Sequence, residues 1–161
     1  MFKIGQGYDV HQLKSNLPLI IGGVNIPHSK GIVAHSDGDI LSHAIIDALL
    51  GACNLGDIGT LFPNESKWEN ANGLVMLQNV KKLIDKSNKE INIVNIDSTI
   101  ILQSPKLKPY IDLMRTNIAE TLSIKKDLIS VKATTTDKLG FIGSEDGIGC
   151  LSICLVNEES K

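Results

Sequence analysis

Aromatic residues make up only 4% of this 161-residue chain, and no basic block offsets its formal net charge of −2. A nucleic-acid surface needs clustered Lys and Arg, so nucleic acid is not an expected partner. Long hydrophobic runs are missing too. The most apolar stretches, 40–50 and 74–77, are too short or too polar to span a bilayer, so no membrane partner is expected. The opening Met-Phe-Lys-Ile-Gly lacks the apolar core of a secretory signal and is not an Arg/Ser-rich transit segment. The expected location is cytoplasmic. Cysteine is scarce and odd in number: Cys53, Cys150 and Cys154. That argues against a disulfide framework and for reduced, buried thiols. Cys150 and Cys154 could ligate a soft metal, but their run, "CLSICLV", reads as a strand whose thiols pack in the core.

What is present fits one globular domain over residues 1–161, with 42% hydrophobic and 21% charged residues. Ile4–Val10 alternates and carries glycine, as a strand in close backbone contact would. "PLIIGGVNIP" (18–27) reads as two short strands around a Gly22-Gly23 turn. A helix opens near Ser36, Asp37 and Asp39 and stops near Gly51 or Gly56. Residues 56–73 form a long polar loop without secondary structure, a common place for function. A second helix follows at 74–86, a strand at Ile91–Leu102, and a proline-bounded loop at 104–109. Ile111, Met114, Ile118 and Leu122 mark a third helix, and strands run over Ile129–Thr134 and Ile148–Val156. The order implies an α/β fold, a mixed β-sheet with helices on one face. The chain has too few helices to cover the other face, which points to sheets packed against copies of the same chain.

The histidines and aspartates are unevenly placed. Asp9 and His11, two apart on a strand, point to one face. Asp39, His43 and Asp47 are four apart and would share one helix face. Asp9, His11 and His43 would make a three-ligand set that suits zinc with a fourth position open. Asp39 or Asp47 could then hold the second nitrogen of His43. On spacing alone, scattered surface residues and a metal site both stand. His35 could donate to an anion near the helix N-terminus, or be an ordinary turn residue. Thr134, Thr135 and Thr136 offer hydroxyls and N–H groups for phosphate, or are plain strand residues, and Asp137 could bind a hard cation such as Mg²⁺. Glycines 140, 143, 147 and 149 form no phosphate-binding fingerprint.

Taken together, "GYDVH", "IIGGVNIP", "GIVAHSDGDILSHAIIDALLGA", "LGDIGTLFP", "VNIDSTIILQSPKL" and "VKATTTDKLGFIG" resemble the 2-C-methyl-D-erythritol 2,4-cyclodiphosphate synthases of the non-mevalonate isoprenoid pathway. The resemblance runs through nearly the whole chain. It implies a phosphorus-oxygen lyase acting on 4-diphosphocytidyl-2-C-methyl-D-erythritol 2-phosphate, a homotrimer with sites at subunit interfaces, and a zinc on Asp9, His11 and His43. It implies magnesium or manganese at Asp137, with His35 and Thr135 steadying the transition state. Substrate contacts are implied at Ser36, Asp57, Ile58, Gly59, Phe62, Pro63 and Asn64. A cytidine pocket from the neighbouring subunit is implied at Leu102, Lys106, Leu107, Lys108, Thr134 and Thr136, with a further contact at Phe141. Three positions depart from the family pattern: Asp137 for glutamate, Asn64 for aspartate, and Ser144 for the arginine of a "GRGEG" run, here "GSEDG". That arginine lines an axial cavity for isoprenoid diphosphates in the family, and Ser144 cannot supply its charge. The same ligand set would also suit a zinc-dependent phosphohydrolase, or a trimeric nucleotide-binding module without turnover.

Overall fold

Alternation governs the first strand. Gly5, Gly7 and Leu13 are buried while Phe2, Ile4, Gln6, Tyr8 and Val10 are exposed, so odd positions face the core. The computed structural model describes residues 1–63, 65–87 and 89–160. In chain order the elements are β1 (Phe2–Ser15), β2 (Ile20–Ile21), β3 (Val24–Asn25), β4 (Lys30–Val33), α1 (Ile40–Cys53), α2 (Ile58–Leu61), α3 (Gly73–Asp85), β5 (Lys89–Ile101), α4 (Ile111–Leu122), β6 (Ile129–Thr134), α5 (Gly140–Gly143) and β7 (Gly147–Ser160). Short 3-10 turns occur at 66–68 and 126–128.

Five strands form one mixed sheet in the order β4-β1-β7-β5-β6. Only the β5–β6 pair is parallel; the others are antiparallel. The long helix α1 lies on β1 and β7 and packs against α3, which in turn meets α4. Ile40, Leu41, Ala44, Ile45, Ile46, Ala48, Leu49 and Leu50 are all buried, so α1 is apolar around most of its girth, as a helix enclosed on several sides must be. Beneath it the inner face of the sheet supplies Ile96, Ile100, Ile148, Cys150, Cys154 and Val156. Among the described residues, the other face is covered only at one end, where Phe141 and Ile142 of the short α5 lie over Gly147 and Gly149.

β2 and β3 pair around Gly22 and Gly23, whose φ values of +58° and +69° give the hairpin turn its left-handed pair. The polar stretch 56–73 differs from the expected unstructured loop. It holds α2 and a 3-10 turn, each too short to show a hydrophobic period. β4 and α5, four residues each, were likewise not expected from the sequence. α1 ends at Cys53 because Asn54 adopts φ +56°, a left-handed C-cap, rather than at either glycine.

Candidate active site

Two glycines set the height of α1 above the sheet. A Cβ on Gly5 would lie 1.8 Å from the Ala48 carbonyl oxygen, and one on Gly7 would lie 2.0 Å from that of Ala44. Without side chains there, α1 rests almost directly on β1. The next inward positions along β1 are Asp9 and His11, and His43 precedes Ala44 on the helix. The close contact therefore delivers His43 onto the Asp9/His11 pair.

The convergence is tight. His11 Nε2 lies 3.0 Å and His43 Nδ1 lies 3.1 Å from Asp9 Oδ2, and the ring centroids are 5.7 Å apart. Donor atoms of Asp9, His11 and His43 all lie within 4.8 Å of one another. Two donors each about 2.0–2.1 Å from a tetrahedral metal stand roughly 3.3 Å apart, close to the spacing seen here. Side chains and geometry both fit a divalent metal.

The three side chains also shift one another's titration. Burial pushes the Asp9 carboxyl up, but its hydrogen bonds to His11 and His43, and their positive charge, hold it well below the usual range. Burial works to lower His43; the Asp9 hydrogen bond, with the charges of Asp9, Asp39 and Asp37, outweighs it and raises the ring above its ordinary value. One carboxylate and two imidazoles are a donor set that a divalent metal accepts.

The carboxylates expected behind His43 do something else. The second nitrogen, Nε2, faces the Ser36 hydroxyl at 3.3 Å. Asp39 caps α1, accepting from Ser42 N and Ser42 Oγ, and also binds Gly22 N at 2.7 Å and Gly23 N at 2.8 Å. With φ −64° and ψ 85° it stands outside the helix, so the four-residue spacing does not align it with His43. Asp47 accepts from Ile58 N at 2.7 Å.

The triad lies in a cleft of about 310 Å³. Its walls include His35, Ser36, Asp47, Ile58, Gly59, Phe62, Pro63, Trp68 and Met76. Phe62 and Trp68 meet edge to face at 4.7 Å. His35 Nε2 donates to the Glu65 carbonyl at 3.0 Å, tying the 65–68 segment to this wall. Asp57 is the exposed N-cap of α2, accepting from Thr60 N at 2.7 Å, and does not line the cleft. Asn64 lies outside the described residues. Trp68, Met76 and Ala34 were not foreseen in the site, although a sole tryptophan inside a polar loop was a signal.

A second cleft, also about 310 Å³, is lined by Leu102, Lys106, Leu107, Lys108, Thr134 and Thr135, with Gln103, Pro105, Ile111 and Ala133. Thr136, Asp137 and Phe141 lie outside that lining. Asp137 is exposed, with φ +51°; its N–H donates to Thr135 Oγ1 at 3.2 Å, and that hydroxyl donates back to Asp137 Oδ1 at 3.3 Å. The register relates the two clefts. Val10 pairs Gly149, Gly149 pairs Ile101, and Ile101 pairs Thr134. Thr134 thus sits level with the triad but three strands away, about 14 Å at roughly 4.8 Å per strand. One chain does not bring His35 and Thr135 together.

The chain is similar to known proteins over nearly its whole length. Proteins named 2-C-methyl-D-erythritol 2,4-cyclodiphosphate synthase are similar along their length: one from Clostridium kluyveri is 54% identical over 160 residues, 99% of this chain and 96% of that one. One from Clostridium botulinum is 53% identical over 156 residues, 96% and 99% of the two chains. Among solved structures, the bifunctional IspDF from Campylobacter jejuni matches with a TM-score of 0.93 at 43% identity; 99% of this chain is covered, and it spans 43% of that longer one. IspF from Plasmodium falciparum in its CDP complex matches with a TM-score of 0.86 at 38% identity, covering 99% and 97%. The YgbB family profile spans residues 2–157, triad and both clefts included, and the chain belongs to the YgbB family.

Proposed function

We infer that the protein converts 4-diphosphocytidyl-2-C-methyl-D-erythritol 2-phosphate into 2-C-methyl-D-erythritol 2,4-cyclodiphosphate and CMP. The observation that carries this is the Asp9–His11–His43 triad, set in a chain 53–54% identical along its length to synthases of that name. An oxygen of the substrate's 2-phosphate attacks the β-phosphorus. The bond from that phosphorus to the oxygen bridging the α-phosphorus breaks, and CMP leaves with the α-phosphate. Both ends of the new bond belong to one molecule, so positioning and charge neutralisation do most of the catalysis. Asp9, His11 and His43 would hold zinc, and Asp137 would hold magnesium or manganese. When bound, the metals supply positive charge against the α- and β-phosphates.

The protein's own groups fold the substrate into its attacking shape. Ile58, Gly59, Phe62 and Pro63 wall the erythritol end, with Asp57 at the head of the same turn and Ser36 beside His43. Leu102, Lys106, Leu107, Lys108 and Thr134 hold the cytidine end, with Thr136 just beyond that lining, and Phe141 packs near Gly147 at the close of that segment. His35 and Thr135 act on the transition-state phosphates from opposite sides. This requires the cytidine cleft of one subunit to face the metal cleft of the next, in a homotrimer. The open sheet face supports that assembly: Ile4, Tyr8 and Ile153 are 72%, 57% and 50% exposed on it, an apolar surface suited to packing against copies of itself. Phosphorus NMR of an incubation with the cytidylated substrate tests the reading. Cyclic diphosphate with stoichiometric CMP supports it; a linear phosphate product overturns it in favour of a hydrolase.

A further inference from the structure

The metal-side cleft holds two carboxylates, Asp9 and Asp47. Asp9 is a ligand in the reading above, and Asp47 has no part in it. Asp47 lies one helical turn beyond His43 on α1, so both side chains leave the same side of one rigid helix. Its Oδ1 reaches across to the turn that walls the cleft and accepts from Ile58 N at 2.7 Å. That distance is at the short end of the ordinary N–H to oxygen range.

The turn it reaches is packed only partly: Ile58, Leu61 and Phe62 lie half-buried against the core. α2 is a single four-residue turn, and none of its residues is buried. It follows Gly56, whose φ of +88° marks a sharp change of direction. A helix this short gains almost nothing from its own hydrogen bonds. Its leading N–H groups are met by carboxylates instead: Thr60 N by the local cap Asp57, and Ile58 N by Asp47. Asp57 moves with the turn. Asp47 belongs to α1, the helix that also carries His43.

We propose that Asp47 is a positioning residue for the reaction: its hydrogen bond to Ile58 N fixes the 57–62 turn at a set height above the Asp9–His11–His43 triad. The proposal rests on the synthase reading for its substrate. What matters is the acceptor oxygen of Asp47, not its charge. Asparagine keeps an oxygen of the same reach, and alanine does not.

The test compares metal-loaded wild type with Asp47→Ala and Asp47→Asn. CMP release gives KM and kcat, elemental analysis gives zinc, and amide hydrogen exchange follows residues 58–62. Asp47→Ala is expected to raise KM roughly tenfold, equivalent to about 1.4 kcal/mol, with kcat within about threefold. Its zinc content is expected to stay at the wild-type level, while exchange at 58–62 quickens. Asp47→Asn is expected to stay within about threefold of wild type in KM and to keep the slow exchange. Unchanged exchange in the alanine variant, asparagine as impaired as alanine, or zinc loss in either would overturn the proposal. A wild type that releases no CMP would sink the synthase reading instead, and the exchange comparison would still decide whether Asp47 anchors the turn.

Discussion

Replacing Gly7 by alanine tests whether the height of α1 makes the metal site. The new methyl carbon would start 2.0 Å from the Ala44 carbonyl oxygen and 2.9 Å from Ala48 N. Real Cβ contacts do not fall below 3.0 Å, so α1 must withdraw by at least 1.0 Å, the difference between 3.0 and 2.0 Å. His43 is joined to Ala44 and withdraws with it, whereas metal ligands tolerate only about 0.2 Å. A misplacement of about 1 Å commonly costs on the order of 100-fold in activity. The overpacking itself is expected to cost about 1–3 kcal/mol. For a domain of this size that lowers Tm by roughly 2–12 °C. Zinc affinity by chelator competition and Tm by calorimetry read both effects. Gly51→Ala is the control: it lies on α1 itself, its Cβ would meet nothing closer than 4.0 Å, and alanine should stabilise the helix by about 0.5–1 kcal/mol. A Gly7→Ala protein with wild-type zinc affinity and Tm would refute the reasoning.

Asp39→Ala strands the N–H groups of Gly22 and Ser42 in the interior and that of half-buried Gly23 beside them. The expected loss is about 3–5 kcal/mol in urea unfolding, and a loss below about 1 kcal/mol would show that these donors find other partners. Asp137→Ala should raise the magnesium or manganese requirement for CMP release with zinc unchanged, and Asp137→Glu should be tolerated; an unaltered metal titration for the alanine variant would reduce Asp137 to a loop residue. Glu158 meets Lys3 Nζ at 2.5 Å and Lys89 Nζ at 2.9 Å, and the Lys3 hydrogen bond, followed by that of Lys89, lowers its carboxyl from the ordinary 4.5. A depressed carboxyl stabilises above its unfolded value and loses that contribution as pH falls through the folded one. Tm of Glu158→Gln should therefore decline less steeply than wild type on the acid side of about pH 4.5, and identical slopes would count against the pairing.

Strict periods were legible in the chain, and partnerships across distance were not. The inward face shared by Asp9 and His11 follows from the two-residue period of a strand, which burial of Gly5, Gly7 and Leu13 obeys. Asp39 misled because the helical period begins only at Ile40; its carboxylate turns to a hairpin 16 and 17 residues away, a contact with no local signature. α2 has too few residues to show a period, and its anchor lies 11 residues back on α1. Trp68 reaches the cleft wall through a 3-10 turn held by its Trp68 N to Glu65 carbonyl bond and by the Asn70 N to His35 carbonyl bond, a fold-back that composition does not encode. The closeness of α1 to the sheet was only half visible. Glycine in β1 suggested tight backbone contact, but the choice of Ala44 and Ala48 as the surfaces it meets belongs to tertiary structure.

The pairing of β1 with β7 runs unbroken from Phe2 opposite Asn157 to Gln12 opposite Gly147. Its side chains alternate, so the site depends on parity. One residue gained or lost between Gly7 and Asp9 would turn both ligands to the open face, where Tyr8 and Val10 now stand, and send those apolar groups under α1. Two residues gained would restore the facing but carry Asp9 and His11 about 7 Å along the strand, past the reach of His43. Drift in chain length is therefore closed to this strand in both odd and even steps. The spacing from Gly5 to His11 thus acts as a ruler that sets where the ligands meet His43.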